Sequence, residues 1–244
     1  VKIAVGRQTT AWLRAEYQVY SQLEADFMPR LLGWNDQGGP PLLVLEDLSE
    51  GYWPPPWEAG QVEAVLRMLS HVHATRLPLP KIAAASADGP DAWDQVAKDP
   101  MPLLSVGVCS SDWLEKSMPS LVAAAKEAPV EGDDLVHMDV RSDNICFLHG
   151  RGVLVDWNWA ARGNGLLDLA FWAPSLQAEG GPAPEELLPN AAAWAAFVSG
   201  YIAARAGVTP LRDATRVREV NLKQLRTALA WAVRALHLPP LDGR

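Results

Sequence analysis

The chain is poor in cysteine, has no block of basic residues and has no apolar run of membrane length, and each lack removes a class of protein. Its two cysteines, Cys109 and Cys146, provide neither a disulfide framework nor a metal-spaced cluster. They read as buried free thiols of a reducing cytoplasm. Lys and Arg number 21 against 29 Asp and Glu, for a net charge of −8. Dispersed basic residues in an acidic chain give a nucleic-acid surface no electrostatic footprint. No stretch reads as a signal peptide or a membrane span, and no internal repeat is evident. What is present is a 49% hydrophobic content over 244 residues, ample for one two-lobed domain or two small ones. The acidity permits a cationic ligand without requiring one.

The informative stretch runs from Leu135 to Trp172. Two apolar runs, Ile145 to Leu148 and Val153 to Val155, flank His149-Gly150-Arg151-Gly152, which reads as a four-residue hairpin turn. With Leu148 opposite Val153, Ile145 would face Asp156 and Asn144 would face Trp157. The Asn144 and Asp156 side chains would then leave neighbouring rungs, about 5 to 8 Å apart. An amide oxygen and a carboxylate at that separation suit one Mg²⁺, a hard ion that completes its shell with substrate phosphates. Asp139 falls five residues before Asn144, where a carboxylate can orient a hydroxyl and accept its proton. Singly, Asp and Asn are common turn formers. It is the joint order, His137-x-Asp139-x-x-x-x-Asn144, hairpin, Asp156, that points to phosphoryl transfer.

These motifs, HMDVRSDN and VDWNW, resemble the aminoglycoside phosphotransferase and choline kinase-like family, whose catalytic loop reads His-Gly-Asp-(Leu/Phe)-(His/Arg)-x-x-Asn and whose metal motif reads (Ile/Val)-Asp-(Trp/Phe). Met138 stands where the family has glycine. The resemblance implies Asp139 as catalytic base or orienting group, Asn144 and Asp156 as Mg²⁺ ligands, and His137 and Asp168 as supports of the catalytic loop. It also implies that Lys2 contacts the nucleotide phosphates and that Glu16 positions Lys2. Glu46, Asp47 and Leu48, in LLVLEDL, would present backbone groups to adenine. The strand-loop-strand that precedes the lysine strand in the family has no counterpart here, so the first lobe reads as truncated.

Around these motifs, VKIAV reads as a short strand and Thr9-Thr10 as the cap of a helix from about Ala11 to Ala25. Its stripe is Leu13, Tyr17, Tyr20, Leu23 and Phe27, with Glu16 on the same flank and in need of a partner. Strands are predicted over Arg30 to Trp34 and Pro41 to Glu46, and helices over Glu58 to Thr75, Asp112 to Ala128 and Pro189 to Ala206. A last helix is predicted to open at Thr209-Pro210. Residues Leu77 to Pro102 read as an irregular connection with one helical turn near Trp93, and QAEGGPAPEE as a loop. His71 and His73 cannot chelate one ion from a helix, because residues two apart diverge by about 200°. His73 therefore reads as a core histidine.

The expected fold is α+β and protein-kinase-like, with a small sheet-containing lobe over residues 1–48 and a mainly helical lobe over 49–244. The expected activity is Mg²⁺-assisted transfer of phosphate from ATP, or from GTP, to a small-molecule hydroxyl. An aminoglycoside-type antibiotic or related metabolite leads the acceptor classes; homoserine, choline, a sugar and a macrolide also fit the resemblance. The alternative from another class is a catalytically silent nucleotide-binding regulatory module. The expected partners are a nucleoside triphosphate and that acceptor, with neither nucleic acid nor membrane.

Overall fold

The computed structural model describes the chain over residues 1–82, 91–207 and 215–243. The described residues of Val1–Ala85 and Val130–Asp168 form one compact unit, and those of Ser86–Pro129 and Leu169–Arg244 another. The predicted cap at Thr209-Pro210 lies outside the described residues.

In the first unit, β1 (Lys2–Ile3), β2 (Leu31–Asn35) and β3 (Leu42–Leu45) form an antiparallel sheet in the order β1-β3-β2, with Lys2 opposite Leu43. Between β1 and β2 runs α1 (Arg7–Tyr20), which begins four residues earlier than predicted and ends at Tyr20. Gly6 is its N-cap, and the Thr9 hydroxyl, one turn inside, accepts the Val5 and Gly6 N–H groups at 3.0 and 2.9 Å. Thr9 thus satisfies the entry from within the helix instead of preceding it. Tyr17 of α1 stacks on Trp34 of β2 with ring centroids 4.3 Å apart, a pairing that stabilises by about 0.5–1.5 kcal/mol beyond area burial.

The unit continues with α2 (Gln61–Ala74), β4 (Asp134–Val136), a 3-10 turn over Ser142–Asn144, β5 (Ile145–Leu148), β6 (Arg151–Leu154), a 3-10 turn over Trp157–Trp159 and β7 (Ala161–Gly163). β4 pairs with β7 and β5 with β6, both antiparallel. The hairpin register differs from the prediction: Leu148 faces Arg151 and Ile145 faces Leu154. Only His149 and Gly150 form the turn, with φ of 51° and 78°. Two consecutive left-handed residues make the two-residue turn whose twist matches the strands, so Arg151 and Gly152 join β6. The shift spans two residues, which leaves every side chain on its predicted face. The Val155 N–H donates to Asn144 O at 3.0 Å, so Asn144 lies beside Val155 and diagonal to Asp156.

The second unit is helical: α3 (Ala92–Lys98), α4 (Met101–Leu104), α5 (Ser111–Lys126), most of α6 (Leu166–Ala178), α7 (Pro184–Leu187), α8 (Ala192–Ala206) and α9 (Thr215–Leu236). In the stretch expected to be irregular but for one turn near Trp93, α3 covers that turn and extends it, and α4 begins at its end; α7 stands where a loop was expected, with Pro184 at its first position. Trp93, Trp172 and Trp231 are fully buried. The Trp93 indole donates to Ala196 O at 2.8 Å. Gly200 of α8 makes room for it, since a Cβ there would lie 2.5 Å from the Trp93 ring. Ser110 caps α5 by accepting the Trp113 N–H at 3.0 Å. No helix among the described residues is long and apolar enough to cross a membrane.

Candidate functional site

The segment expected to form the catalytic loop is built on Asp168. This carboxylate is fully buried in the first turn of α6 and accepts the His137 N–H at 2.9 Å on Oδ2 and the Met138 N–H at 2.7 Å on Oδ1. His73 of α2 reaches Oδ2 at 3.0 Å through Nε2. Gly165 allows that approach, because a Cβ there would lie 2.6 Å from His73 Nδ1. Fixing two consecutive amides holds the loop where Met138 turns left-handed, at φ 69°. This is the position at which the resembling family has glycine, and an L-residue there carries strain of about 1–2 kcal/mol.

His137 points inward and is fully buried. Its Nε2 lies 2.9 Å from Val155 O, which can only accept, so Nε2 carries the proton; Nδ1 accepts the Asp139 N–H at 3.3 Å. Both ring nitrogens are matched in the neutral form. Burial holds the His137 pKa below its ordinary value against the opposing pull of Asp168 and Asp139. The ring also meets the buried Trp157 edge to face, with centroids 4.6 Å apart.

Asp139 follows this anchor. Asn144 Nδ2 donates to Asp139 O at 2.8 Å and to Asp139 Oδ2 at 2.9 Å, closing the loop on itself. Arg141 lies on the other side, with Nε 3.4 Å from Asp139 Oδ1 and Nη2 donating to Asp143 at 2.7 Å. After β6 the chain turns at Asp156, whose φ of 64° is left-handed, a conformation that Asp tolerates better than most residues. This turn aims the Asp156 carboxylate at β1.

Lys2 joins the two segments. Its Nζ donates to both Glu16 oxygens at 2.8 and 3.0 Å and also contacts Asp156 Oδ1. Glu16 is 3% exposed. Burial raises its pKa, and the charge and hydrogen bonds of Lys2 work against that rise. Lys2, Glu16, Asp139 and Asp156 all line a cavity of about 370 Å³, together with Ile3, Thr9, Trp12, Leu13, Asn158 and Trp159 among others. Asn144 stands behind Asp139. The donors include an amide oxygen and carboxylates, the hard oxygen set that suits Mg²⁺. No cluster of three or more His, Cys, Asp or Glu side chains fit for a metal occurs among the described residues. A metal on Asn144 and Asp156 would therefore draw further ligands from phosphate and water.

The expected adenine contact at Glu46 to Leu48 lies apart from this cluster in the hydrogen-bond network. The Glu46 carboxylate accepts the Arg30 N–H at 3.1 Å and pairs with Arg151 at 2.8 Å. Burial pushes the Glu46 pKa up, but these partners outweigh it and hold it below the usual carboxylate value. Its N–H donates to Arg30 O, and Leu48 O accepts from Gly51 N. Asp47 caps the Ser49 N–H at 2.9 Å. Sequence reasoning missed Trp12, Arg141 and Arg151, and gave His73 a core role without its partner. Thr9 was expected to cap α1 from outside, and it does so from inside the first turn.

No protein-family model matches the chain, and no curated protein matches it in sequence. A choline/ethanolamine kinase family protein from Mesorhizobium loti superposes with a TM-score of 0.55 at 14% identity, covering 93% of this chain and 84% of that one. The chain has an α+β, kinase-like fold. A glucosamine kinase aligns with a TM-score of 0.41 at 17% identity, over 97% of this chain and 60% of that one. Within the kinase-like fold, β1, α1, the segment after β4 and the turn after β6 supply the four parts of the polar cluster.

Proposed function

We propose that the protein transfers the γ-phosphoryl group of ATP, or of GTP, to a hydroxyl of a small molecule. The observation that carries this reading is the meeting of Lys2, Glu16 and Asp156 across as many as 154 residues of chain, in one cavity with Asp139. Asn144 holds Asp139 Oδ2 at hydrogen-bond distance while Arg141 Nε stands 3.4 Å from Oδ1, so Oδ1 is the less tightly held oxygen and the one that would turn to an acceptor hydroxyl. In the reaction the acceptor oxygen bonds to the γ-phosphorus, the bond to the bridging oxygen breaks with its electron pair leaving on the nucleoside diphosphate, and the hydroxyl proton passes to Asp139. Asn144 and Asp156 would hold the Mg²⁺, which when bound supplies charge neutralisation for the β- and γ-phosphates. Lys2 would turn from Asp156 towards phosphate while Glu16 keeps its position.

Glu46, Asp47 and Leu48 would offer adenine their remaining main-chain groups, at a lobe boundary near Leu48. The resemblance puts aminoglycoside-type antibiotics and related metabolites first among acceptors, with homoserine, choline, a sugar and a macrolide behind them, and the Mesorhizobium loti neighbour's description again names choline and adds ethanolamine. A reducing cytoplasm suits the buried free thiols Cys109 and Cys146. The test is consumption of ATP and GTP with Mg²⁺ across aminoglycosides and small alcohols, with mass detection of product. A gain of one phosphoryl group on one compound is expected. Nucleotide binding without any phosphorylated acceptor would favour a silent regulatory module, in which Lys2 stays on Asp156.

A further inference from the structure

The cavity beside Asp139 has a charged wall and an aromatic one. Trp12 and Trp159 form the second, with centroids 5.9 Å apart and planes tilted by 58°. They remain 37% and 47% exposed, an unusual state for two large rings lining one cavity. The Trp159 ring is also held in place. With the Asn158 amide oriented to pair at both ends, its nitrogen donates to Asp156 O at 3.0 Å and its oxygen accepts the Trp159 Nε1–H at 3.1 Å. The Trp159 face is thus set before anything binds, with Trp12 packed against it at a tilt, which lowers the ordering cost of a ligand packed there.

The charged wall has no vacancy for a ligand's ammonium group. Glu16 is taken at both oxygens by Lys2. On the phosphotransfer reading, Asp156 serves the metal and Asp139 the reacting hydroxyl. The remaining lining is Trp12, Trp159, Ile3, Ala4, Leu13, Thr9 and Asn158, which carries no formal charge.

We infer that the acceptor is a cyclic polyol, a sugar- or cyclitol-like ring, recognised by its C–H face on Trp12 and Trp159 rather than by charge. The inference rests on the phosphotransfer reading for the role of Asp139. Axial C–H groups carry slight positive charge and meet the negative face of an indole, while hydroxyls project from the ring edge. One edge hydroxyl can then reach Asp139 Oδ1. An acyclic amino alcohol offers no such face, and its ammonium would find only committed carboxylates. Ring amines are tolerated where they reach solvent, so amino-substituted rings remain acceptors through the same face.

The experiment uses the full chain with Mg-ATP and five acceptors: glucose, inositol, streptamine as the diamino counterpart of inositol, choline and homoserine. Product is detected by mass. Transfer to a ring compound is expected, with an acceptor KM that changes by less than about twofold between about 0.05 and 0.5 M KCl. Trp159→Ala and Trp12→Ala should each raise that KM by about tenfold or more, equivalent to about 1.4 kcal/mol. The KM for Mg-ATP should stay put, and Trp159→Phe should recover most of the loss. Transfer to choline or homoserine with a KM indifferent to both tryptophans would overturn the ring inference and leave phosphotransfer standing. A strong, salt-sensitive preference for streptamine over inositol would overturn recognition by face.

Failure to bind Mg-ATP would instead sink the phosphotransfer reading. If no acceptor is phosphorylated, tryptophan fluorescence titrated with inositol and streptamine decides the ring question. Saturable quenching lost in Trp159→Ala supports the inference, and no quenching overturns it. Unchanged thermal midpoints of the variants separate lost contact from lost folding.

Discussion

Asp168 Oδ1 accepts the Met138 N–H at 2.7 Å across 30 residues of chain, while the other oxygen of the same carboxylate holds His137. A single buried side chain therefore sets the backbone from which Asp139 projects. Asp168→Asn keeps the size but replaces one acceptor oxygen by a donor that faces another N–H. The loss should be about 3 kcal/mol, read as a lower midpoint in urea unfolding. An unchanged midpoint would mean that the loop holds itself without this brace.

His137 gives stability a pH dependence with a defined sign. Burial holds its folded-state pKa below the value in the unfolded chain. Its contribution is complete above about pH 6.5 and is lost as pH falls below that value, by up to about 1.4 kcal/mol per pH unit. Glu16, raised by burial against Lys2, acts in the opposite direction: its contribution is present at low pH and lost as pH rises through its folded value. Comparison with His137→Gln, whose amide can still donate to Val155 O, removes the common terms. The stability difference between wild type and variant should shrink from about pH 7 to pH 5. A constant difference would show that His137 does not titrate on unfolding.

Met138 at φ 69° invites reversion to the residue that the resembling family uses there. Met138→Gly relieves about 1–2 kcal/mol of left-handed strain and forfeits about 0.4–1 kcal/mol through the freer unfolded chain. The net gain should raise the melting temperature by about 1–3 °C, measured by circular dichroism. A fall would mean that Met138 packs well enough to outweigh its backbone.

For the proposed chemistry, Asp139→Asn should lower phosphoryl transfer by about 10² to 10⁴-fold while Mg-nucleotide affinity holds, as single-turnover kinetics and calorimetry would read. Asp156→Ala should instead weaken Mg-nucleotide binding and raise the Mg²⁺ concentration that transfer requires, and an unchanged Mg²⁺ requirement would remove it from the metal shell. Wild-type transfer by Asp139→Asn would remove that carboxylate from the reaction.

Much of this was legible locally. The helix α2 follows from the 3.6-residue apolar period, and the β5–β6 hairpin from two apolar runs around a Gly-containing turn. Its exact register was not, because His149 adopts a left-handed conformation that its side chain does not announce, unlike Asn or Gly. The start of α1 was misplaced for a similar reason: Thr9 can cap from outside a helix or close a box from within, and residues 5 to 8 decide which.

The sequence by itself determined the inventory and order of polar groups: His137, Asp139, Asn144, Asp156 and Asp168 at short intervals, with Lys2 and Glu16 far upstream. Short-range spacing constrains residues that share a turn or a hairpin, because backbone geometry links them directly. Only the tertiary structure decided that Lys2, expected beside Glu16, also reaches Asp156, that His73 shares Asp168, and that Trp12 faces Trp159. Those contacts join separate elements through packing and burial. A carboxylate's need for a partner can be read from a chain, but the partner's identity depends on which surfaces the core brings together.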